Sequence, residues 1–593
     1  MNVNHKLLDT LNALGQQRKP VERLYARMLD ERLFVASYVK LYSNRGAMTV
    51  GTDNEDVIDG MSLQRIRNII QKLQNNEWKW KPVRRRYIPK ANDKQRPLGV
   101  PNWSDKLVQD VMRTVLEAYY EPIFRDESHG FRPQRSCHTA RNQIKHVWTG
   151  VNWFVEGDIK GCFDNIEHDE LLATIGKQIR DFRFLKLLRT MLRAGYIEDW
   201  AIKPTMSGTP QGGVISPILA NIFLHELDEY VVGQLKPGFD KGERRGRNPE
   251  YGKLSNAIRR ARMQKEYSLA DTLKKQRNQI HRSNPLDSNY RRLLYIRYAD
   301  DFLIGIIGSK EDATDIKTKV NELLLNLKLE MSIEKTTITH ATTGYAQFLG
   351  YDIYKHNGKH PQRHLSGRIM LRVPADRMTR IRQRYTSKGK PVHRGYLVEA
   401  TVPEIITHYD VELRGYYNYY KLAYDVSNKL NYLRYIMQTS LAKTISNKMK
   451  ISVATVYRKH VVTGSNSGNR CLQARLETRK GTRFVAFGDF SLKRDMAPSH
   501  KDCDPYIPML PTRELTMRLY STECELCSRL TKELEVHHIR RMKDVRRKVK
   551  EGSKERWHEV MAYRNRKTLV VCHQCHQHIH ATQRHGLLES RVN

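Results

Sequence analysis

The sequence predicts an α+β protein with several domains. Its 593 residues suggest roughly four domains of about 150 residues each. Hydrophobic residues make up 39% of the chain, which is enough to build cores, and helix-period segments alternate along it with short apolar runs typical of strands. Two C-x-x-C pairs near the C-terminus indicate a further, metal-binding module. Together these observations exclude a wholly disordered chain.

The charge of the chain indicates a polyanionic partner. Lysine and arginine number 103 against 64 acidic residues, a formal net charge of +39. The chain also has 30 tyrosines, several beside arginines, as in residues 84–90 and 380–390. Basic surfaces that carry stacking rings are typical of nucleic-acid binding, and a merely basic, well-solvated surface is the plain alternative.

No membrane or targeting segment is expected. No run approaches the roughly 18 consecutive apolar residues of a membrane span. The N-terminal stretch lacks both the apolar core of a secretory signal and the texture of an organelle presequence. We therefore expect a protein that stays in a cytosol-like compartment and has no membrane partner.

Periodicity predicts the elements in order. They are helices over 23–42 and 62–74 within a mainly helical 1–80, strands within 84–101, a helix over 105–120, a strand over 153–159, helices over 168–180 and 182–194, a Gly- and Pro-rich turn over 207–217 that opens an apolar helix, strands within 293–308, a helix over 311–328 and strands within 347–354. Residues 236–290 break this pattern with 14 Lys and Arg against 6 acids, which indicates an inserted helical excursion. Residues 375–460 are predicted to be helical, basic and rich in tyrosine. The weak periodicity of 461–520 indicates a loosely structured linker or a small module.

Three acidic residues form the first candidate site. Apolar residues flank the tetrapeptide Tyr-Ala-Asp-Asp, so Asp300 and Asp301 should lie at the tip of a β-hairpin. Adjacent acids repel each other and become useful when divalent cations supply the counter-charge, although Asp is also common in ordinary turns. Asp158, at the end of the strand over 153–159, could converge with them. Two-metal phosphoryl transfer needs carboxylates from separate strands around ions about 3.5–4 Å apart.

Segments around these acids resemble the successive motifs of reverse transcriptases. In order they are VEGDIKGCFDNI, SGTPQGGVISPILANIFLHELD, RYADD, SIEKT and FLGYDI. Two further segments are similar to those of the reverse transcriptases encoded by group II introns, namely SHGFRPQRSCHTA (128–140) and LYSNRGAMTVGTD (41–53). A third segment, ELRGYYNYYKLA (412–423), is similar to their maturase segment. The resemblance covers nearly the whole chain and is specific to the bacterial lineage that carries a C-terminal nuclease.

The resemblance implies a right-hand polymerase whose palm has an antiparallel sheet, with further modules after it. The implied domains are an N-terminal extension with the start of the fingers (1–80), fingers and palm with the basic insertion 236–290 (81–370), the maturase thumb or domain X (375–460), a small DNA-binding or linker region (461–520) and a zinc-stapled ββα-metal (HNH) nuclease (521–593).

The family implies catalytic roles for four residues of the polymerase. Asp158, Asp300 and Asp301 would hold two Mg²⁺ ions, one activating the attacking 3′-hydroxyl and the other neutralising the pyrophosphate. Lys335 would protonate that leaving group.

Four further residues would contact the incoming dNTP. Phe163 would lie under its sugar and reject a 2′-hydroxyl by sterics. Gln211 would contact it from the Gly-rich turn, while Lys90 and Arg96, beside a basic hairpin, could hold the triphosphate. A surface or packing role is the alternative for each.

The maturase segment crowds four tyrosines into nine residues beside Arg414. On a helix they would fall on more than one face, so aromatic packing within a bundle is one interpretation. The family interpretation is a surface that, with the N-terminal region and the insertion 236–290, grips structured intron RNA through charge and shape.

The C-terminal cysteines predict a structural metal site. Cys524 and Cys527 form one pair, Cys572 and Cys575 form another, and 44 residues separate the two pairs. That spacing is longer than a simple zinc ribbon allows, but two such pairs can still close a tetrahedral Zn²⁺ site.

The flanking histidines resemble the HNH endonuclease motif, as EVHHIR and TLVVCHQCHQHIH. The resemblance implies that His538 is the general base that activates water and that His537, His576 and His580 hold one divalent ion. The asparagine common in this motif is not in its usual place, and Asn565 is the nearby candidate. A DNA-binding zinc module with an inactive nuclease is the alternative.

The implied function combines three activities. The protein would copy intron RNA into DNA, assist the splicing of that RNA, and nick a DNA target to provide the primer. Its partners would be the group II intron RNA in a ribonucleoprotein, the DNA target and dNTPs, in the cytoplasm of a bacterium. The alternative is a splicing-only, RNA-binding maturase with vestigial enzymatic sites. A stand-alone reverse transcriptase would lack the maturase and nuclease segments.

Overall fold

The structure is a computed structural model. It describes residues 3–4, 6–44, 46–89, 95–198, 201–203, 213–280, 282–284, 287–332, 334–356, 367–478, 481–497, 509–510, 514–553 and 555–592. It is a mixed α/β chain whose sheets have two to four strands. Across the described part of the chain, no helix combines the length and apolar character needed to cross a membrane.

The N-terminal region is helical up to a hairpin. Its elements are β1 (Val3–Asn4), α1 (Lys6–Gln16), α2 (Leu24–Met28), α3 (Glu31–Leu41), α4 (Leu63–Gln74), β2 (Val83–Pro89) and β3 (Gln95–Val100). The predicted helix over 23–42 is split into two. Asp30 is extended and its side chain accepts a hydrogen bond from the Arg32 amide, so that it caps a new helix, α3.

A four-stranded antiparallel sheet holds the middle of the chain, in the order β7-β8-β4-β9. The elements here are α5 (Trp103–Tyr120), α6 (Cys137–Val147), β4 (Trp153–Asp158), α7 (Cys162–Asn165), α8 (His168–Gly176), α9 (Phe182–Leu192), β5 (Tyr196–Glu198), β6 (Ala201–Lys203), α10 (Ser216–Glu229), a π-helical turn (Tyr230–Leu235), α11 (Lys236–Phe239), α12 (Pro249–Met263), α13 (Tyr267–Arg277), β7 (Arg292–Tyr298), β8 (Asp301–Ile307), α14 (Lys310–Asn326) and β9 (Thr337–His340). Every residue of β8 after Asp301 is buried, as expected for an apolar run at the centre of a covered sheet.

Two other parts of this region carry exposed basic residues. A second sheet, β3-β2-β5-β6, is built on the basic hairpin of β2 and β3. The excursion predicted over 236–290 contains α12 and α13, which pack against each other and bury few side chains. Most of their lysines and arginines therefore face solvent.

The last part of the chain contains a helical bundle, a small sheet and a separate hairpin. Its elements are β10 (Ala346–Phe348), β11 (Tyr351–Lys355), β12 (Ile369–Arg372), α15 (Ala375–Gln383), β13 (Thr386–Ser387), β14 (Lys390–Pro391), a 3₁₀ turn (Gly395–Leu397), α16 (Val402–Tyr420), α17 (Val426–Met449), α18 (Val453–His460), β15 (Val461–Thr463), β16 (Arg470–Thr478), β17 (Gly481–Ala486), β18 (Met509–Leu510), α19 (Glu514–Leu519), β19 (Leu534–His538), α20 (Met542–Lys550), α21 (Arg556–Arg564), β20 (Thr568–Cys572) and α22 (His573–Val592).

The segment predicted as a linker or small module begins with an ordered sheet. Strands β15, β16 and β17 form an antiparallel sheet that packs on α16. Leu472, Phe487 and Leu492 are buried in the same core as the helices α16 and α17. The linker interpretation is therefore wrong for 461–486, because these strands bury one face against the helical bundle.

Two hydrophobic cores run through the molecule. One belongs to α15–α18 with the strands that pack on them. The other is continuous from the N-terminal helices through α5 and α10 to the hairpin of β19 and β20. The C-terminal module therefore shares its core with the N-terminal region.

Candidate active sites and metal centres

Three acidic side chains lie together at one end of the central sheet. Strands β4 and β8 are antiparallel neighbours, and their register places Asp158 directly opposite Asp301. Asp300 precedes Asp301 in the turn from β7, where Ala299 adopts a left-handed conformation with φ of 57°. The side chains of Asp158 and Asp301 are within hydrogen-bonding reach of each other.

Burial makes a negative charge costly at this site. It raises the pKa of Asp301 to about 7, and the neighbouring charge of Asp300 acts in the same direction. Burial also raises the pKa of Asp300, against the positive charges of Arg96 and Lys335. When these carboxylates are all ionised they repel one another, and a bound cation offsets that repulsion. They therefore form a donor set that fits divalent cations.

The basic residues predicted beside these acids occupy different positions. The Lys335 ammonium donates a 2.7 Å hydrogen bond to the Asp158 carboxylate, and this contact raises the lysine pKa. Arg96, on β3, is close enough to Asp300 for its positive charge to act against the rise in the Asp300 pKa. Lys90 and Gln211, the other predicted substrate contacts, lie outside the described residues.

Phe163 is placed beside the acids by a tight turn. Gly161, with φ of 56°, links β4 to the short helix α7 that carries Phe163. The Phe163 ring meets the exposed Phe131 ring edge-on, with centroids 6.2 Å apart. Its neighbour Cys162 is buried and lies within the field of Asp158 and Asp300. The two aromatic rings therefore pack together, and the residue that precedes Phe163 lies close to the carboxylates.

A buried ion pair that the sequence analysis missed supports the acidic turn. The guanidinium of Arg297 donates to both oxygens of Asp228, at 2.7 and 2.6 Å, and neither side chain is exposed. Arg297 also donates to the Ala299 carbonyl, at 2.9 Å, and to the Ser128 hydroxyl, at 3.0 Å. Asp228 lies on α10, 69 residues before Arg297, so no local pattern indicated the pairing.

The segment SHGFRP is the other support of that turn. Gly130 packs so tightly that a Cβ would lie 2.3 Å from the Ala299 amide nitrogen, so only glycine fits. Its carbonyl accepts a hydrogen bond from Asn221, and the His129 amide donates to the Arg297 carbonyl. The motif therefore holds the acidic turn in place.

The four cysteines of the C-terminal module form one cluster. The sulfur atoms of Cys524, Cys527, Cys572 and Cys575 all lie within 4.8 Å of one another, and those of Cys527 and Cys572 are 3.8 Å apart. A tetrahedron with Zn–S bonds of about 2.3 Å has edges of about 3.8 Å. This donor set therefore fits a structural zinc ion.

Three of the predicted histidines form a second cluster, joined by a residue that the sequence analysis missed. His537, His576 and His580 surround the carboxylate of Asp59, and all four groups lie within 4.8 Å of one another. Although burial acts against it, the contacts with Asp59 and Glu535 raise the pKa of His576 to about 9. Three imidazole nitrogens and one carboxylate converge here, and this donor set fits a divalent cation.

His538, the predicted general base, is enclosed. Burial lowers the pKa of this imidazole to about 4, so the ring is neutral at pH 7. Its Nε2 lies 2.9 Å from the Tyr38 hydroxyl, and its backbone amide donates to Asp59. His538 does not join the cation cluster. His578 has an exposed side chain beside Glu555 and also lies apart from it.

A basic cleft of about 850 Å³ opens beside His538. Its cationic lining consists of Arg518, Arg540, Arg541, Arg566 and Lys567. Asn565, the predicted substitute for the missing asparagine, lines the same cleft and accepts a hydrogen bond from Arg546. The cleft has the charge to receive a phosphodiester strand.

The crowded tyrosines of α16 lie on more than one face of the helix. Tyr420 is buried, whereas Tyr419 is partly exposed and donates a hydrogen bond to the Leu349 carbonyl in the turn between β10 and β11. The helical bundle also exposes tyrosines on other elements, which are Tyr396, Tyr424, Tyr432 and Tyr435. Both packing and surface roles therefore apply to this aromatic set.

Three family models match successive parts of the chain. Residues 88–238 match the reverse transcriptase (RNA-dependent DNA polymerase) family, residues 367–484 the type II intron maturase family, and residues 524–576 the AI2M/AI1M-like HNH endonuclease family. The maturase match extends across β15 and β16, which supports their assignment to the helical bundle.

Curated relatives match over 60% to 94% of the chain. The chain is 41% identical to the group II intron-encoded protein LtrA of Lactococcus lactis subsp. cremoris, over 94% of this chain and 95% of that protein. It is 35% identical to an uncharacterized 91 kDa protein in the cob intron of Schizosaccharomyces pombe, over 94% of this chain and 69% of the relative. Protein YkfC of Escherichia coli K12 is 30% identical over 60% of this chain and 88% of its own length.

Proposed function

The chain belongs to the group II intron-encoded proteins, with reverse transcriptase, maturase and HNH endonuclease domains, and on this premise we propose which of its residues carry each activity. Asp158, Asp300 and Asp301 form the polymerase centre in the palm of a right-hand polymerase. The register that sets Asp158 opposite Asp301 is the observation that carries this proposal. Two Mg²⁺ ions held there would supply the charge that activates a primer 3′-hydroxyl and stabilises the departing pyrophosphate.

The chain's own residues orient the reactants. Lys335, whose ammonium donates a hydrogen bond to Asp158, would pass a proton to the pyrophosphate. Arg96 lies near Asp300 and would hold the triphosphate together with Lys90, while Gln211 would contact the incoming nucleotide. The Phe163 ring would pack under the sugar and exclude a 2′-hydroxyl. The dNTP is the substrate implied by this arrangement.

Measurement of dNTP incorporation on a primed RNA template tests the polymerase assignment. Asp301→Asn should abolish incorporation, because the amide keeps the volume of the side chain but removes its charge. Asp315→Asn is the matched control, since Asp315 is exposed on α14 and pairs with its neighbour Lys319. Equal incorporation by both variants would contradict the assignment and favour a splicing-only protein.

The nuclease centre is proposed at the histidine cluster. His537, His576 and His580 would hold one divalent ion, which supplies the positive charge that a scissile phosphate requires. His538, which lines the basic cleft, would accept the proton of the attacking water. The basic cleft beside His538 would hold the DNA strand. The four cysteines would bind zinc and fold this module around β19 and β20.

The maturase activity is proposed for the helical bundle and its attached sheet. Intron RNA is recognised mainly through phosphate charge and shape, and exposed tyrosines next to arginines add stacking. Arg382, for example, lies over the ring of the exposed Tyr432, 5.6 Å from its centroid. The exposed cations of α12 and α13 would extend this surface. The RNA itself supplies the splicing chemistry.

The three activities then follow one another. The protein would help its intron RNA to splice and remain with the excised RNA as a ribonucleoprotein. At a DNA target the nuclease would cut one strand. The new 3′-hydroxyl would enter the polymerase centre as the primer for copying the intron RNA.

A further inference from the structure

The N-terminal region is bonded to the nuclease module through its backbone. The Gly60 amide donates to the Val536 carbonyl at 3.1 Å, and the Val536 amide donates to the Met61 carbonyl at 2.8 Å. Residues 60–61 therefore pair with β19 on the side away from β20. Met61 is fully buried in the core that the two regions share. Because Asp59 precedes Gly60, this backbone contact positions Asp59 next to the histidine cluster.

Asp59 has the geometry of a fourth ligand. Its Oδ2 lies 2.7 Å from His580 Nε2 and 3.4 Å from His576 Nε2, and its Oδ1 lies 3.4 Å from His537 Nδ1. The Nε2 atoms of His576 and His580 are 3.2 Å apart. A tetrahedral cation with bonds of about 2.0–2.1 Å to nitrogen would set its ligands about 3.3 Å apart. The four groups thus surround one position at nearly the required spacing.

A carboxylate outside the histidine cluster orients the ring of His576 towards the centre of the cluster. Glu535 lies 2.6 Å from His576 Nδ1, which leaves Nε2 facing Asp59. Carboxylate–histidine–metal arrangements of this kind orient the ring and strengthen the ligand. The cluster is also largely shielded from solvent, since His537 and His576 are buried and Asp59 and His580 are partly buried. These are features of a built cation site rather than of a chance surface cluster.

Four protein ligands close a tetrahedral site. Structural zinc sites have four protein ligands, whereas catalytic sites keep one position open for water or substrate. In this arrangement Asp59 takes the position that a scissile phosphate would need. The contact between the N-terminal region and the nuclease module also covers the proposed base, because Tyr38 contacts His538 Nε2 and His538 is only 7% exposed.

We propose that Asp59 is a metal ligand supplied to the nuclease centre by the N-terminal region, and that this shared centre holds the nuclease closed. The inference rests on the proposed role of the three histidines in binding the nuclease ion. Cutting would require the segment around Asp59 to withdraw, freeing both the fourth position of the cation and the His538 ring. The DNA phosphate would then take the place of the carboxylate.

Hydrogen exchange of the full-length protein tests the ligand directly. The Gly60 and Val536 amides donate hydrogen bonds across the contact between the N-terminal region and β19. Their protection from exchange therefore measures how firmly this contact is closed. In protein whose four cysteines already hold zinc, added Zn²⁺ should slow their exchange in the wild type on the order of tenfold, and Asp59→Asn should remove this dependence. Asp544→Asn, an exposed acid of the same module, is the control that should behave as wild type. Protection that Zn²⁺ does not change in the wild type would overturn the shared centre.

Nicking of duplex DNA by the free protein tests the closed state. Asp59→Asn should nick on the order of ten times faster than the wild type at saturating cation, because the population of the open state rises. Tyr38→Phe removes only the hydroxyl on His538 and should also speed nicking, with Zn²⁺-dependent protection unchanged. Variants that nick no faster than the wild type would overturn the closed state.

The ribonucleoprotein separates this inference from the function on which it rests. Nicking by the assembled complex that disappears in His538→Ala establishes the nuclease centre. If that activity is present and Asp59→Asn still nicks more slowly than the wild type, Asp59 is needed for cutting and the closed state is wrong. If the complex does not nick at all, the nuclease assignment itself fails.

Discussion

Arg297 and Asp228 form a fully buried ion pair beside the turn that carries Asp300. Their two hydrogen bonds join β7 to α10, and Arg297 also fixes the Ala299 carbonyl in the turn. The acidic turn is therefore held by groups that need not touch a substrate.

Asp228→Asn should weaken both the fold and the polymerase. Loss of one partner leaves the Arg297 charge buried without compensation, which typically costs about 3–5 kcal/mol. We expect a lower denaturation midpoint and slower dNTP incorporation, while the exposed Asp315→Asn leaves both unchanged. Denaturant unfolding and primer extension measure the two effects, and wild-type behaviour in both would exclude a supporting role for this pair.

Phe163→Ala should relax the choice of sugar. Removing the ring opens the space in which a 2′-hydroxyl would clash, so discrimination against ribonucleotides should fall about 10- to 200-fold. The ratio of kcat/KM for a dNTP and its matching rNTP measures this change. Phe182→Ala, at an exposed surface position, should keep the wild-type ratio. An unchanged ratio in Phe163→Ala would leave the residue with a packing role only.

His129 should make the stability of the fold depend on pH. Burial lowers the pKa of this imidazole to about 4, below its unfolded value near 6.5. The unfolded chain therefore binds more protons between these values, so stability falls as pH drops from 6.5 towards 4, by about 3 kcal/mol in all. Denaturant unfolding at pH 7 and pH 5 should show a smaller pH effect in His129→Gln. An equal pH effect in both proteins would contradict this.

Cys572→Ser should unfold the nuclease module and spare the polymerase. Structural zinc contributes about 10–16 kcal/mol to the folding of small zinc modules, and this variant loses one of the four sulfur ligands. Residues 514–592 should become sensitive to protease, one zinc ion should be lost and nicking should cease. Reverse transcription should continue. His578→Ala, an exposed neighbour on α22, should retain zinc. Full zinc content in Cys572→Ser would contradict the site.

Tyr432→Ala combined with Tyr435→Ala should weaken RNA binding without slowing polymerisation. Both rings are exposed on α17, and a base stacked on an aromatic ring contributes about 1–3 kcal/mol. We expect lower affinity for the intron RNA and less splicing support, both measured at fixed salt. Tyr563→Ala, exposed on the nuclease module, is the control. Undiminished affinity would place the RNA surface elsewhere.

Local patterns predicted much of what positions the polymerase centre. Apolar runs on both sides of Asp300 and Asp301 specify a hairpin, and an Asp at the end of β4 can join them once β4 pairs with β8. The weak periodicity of 461–520 concealed β15–β17, because those strands bury one face against α16 rather than in a core of their own.

Contacts between residues far apart in the chain could not be predicted from local sequence patterns. Asp59 and His538 are 479 residues apart, and nothing near Asp59 distinguishes it from its acidic neighbours. The buried pair of Arg297 and Asp228 was hidden for the same reason. Such partners are chosen by the tertiary fold, so only the structure shows which of many acids is used.

The fate of labelled dNTPs in a complete ribonucleoprotein with its DNA target tests the central claim most directly. The account predicts cDNA covalently joined to the nicked strand. Asp301→Asn should nick without adding label, and His538→Ala should add label only to a target nicked beforehand. Labelled cDNA made by Asp301→Asn at the wild-type rate would contradict the account.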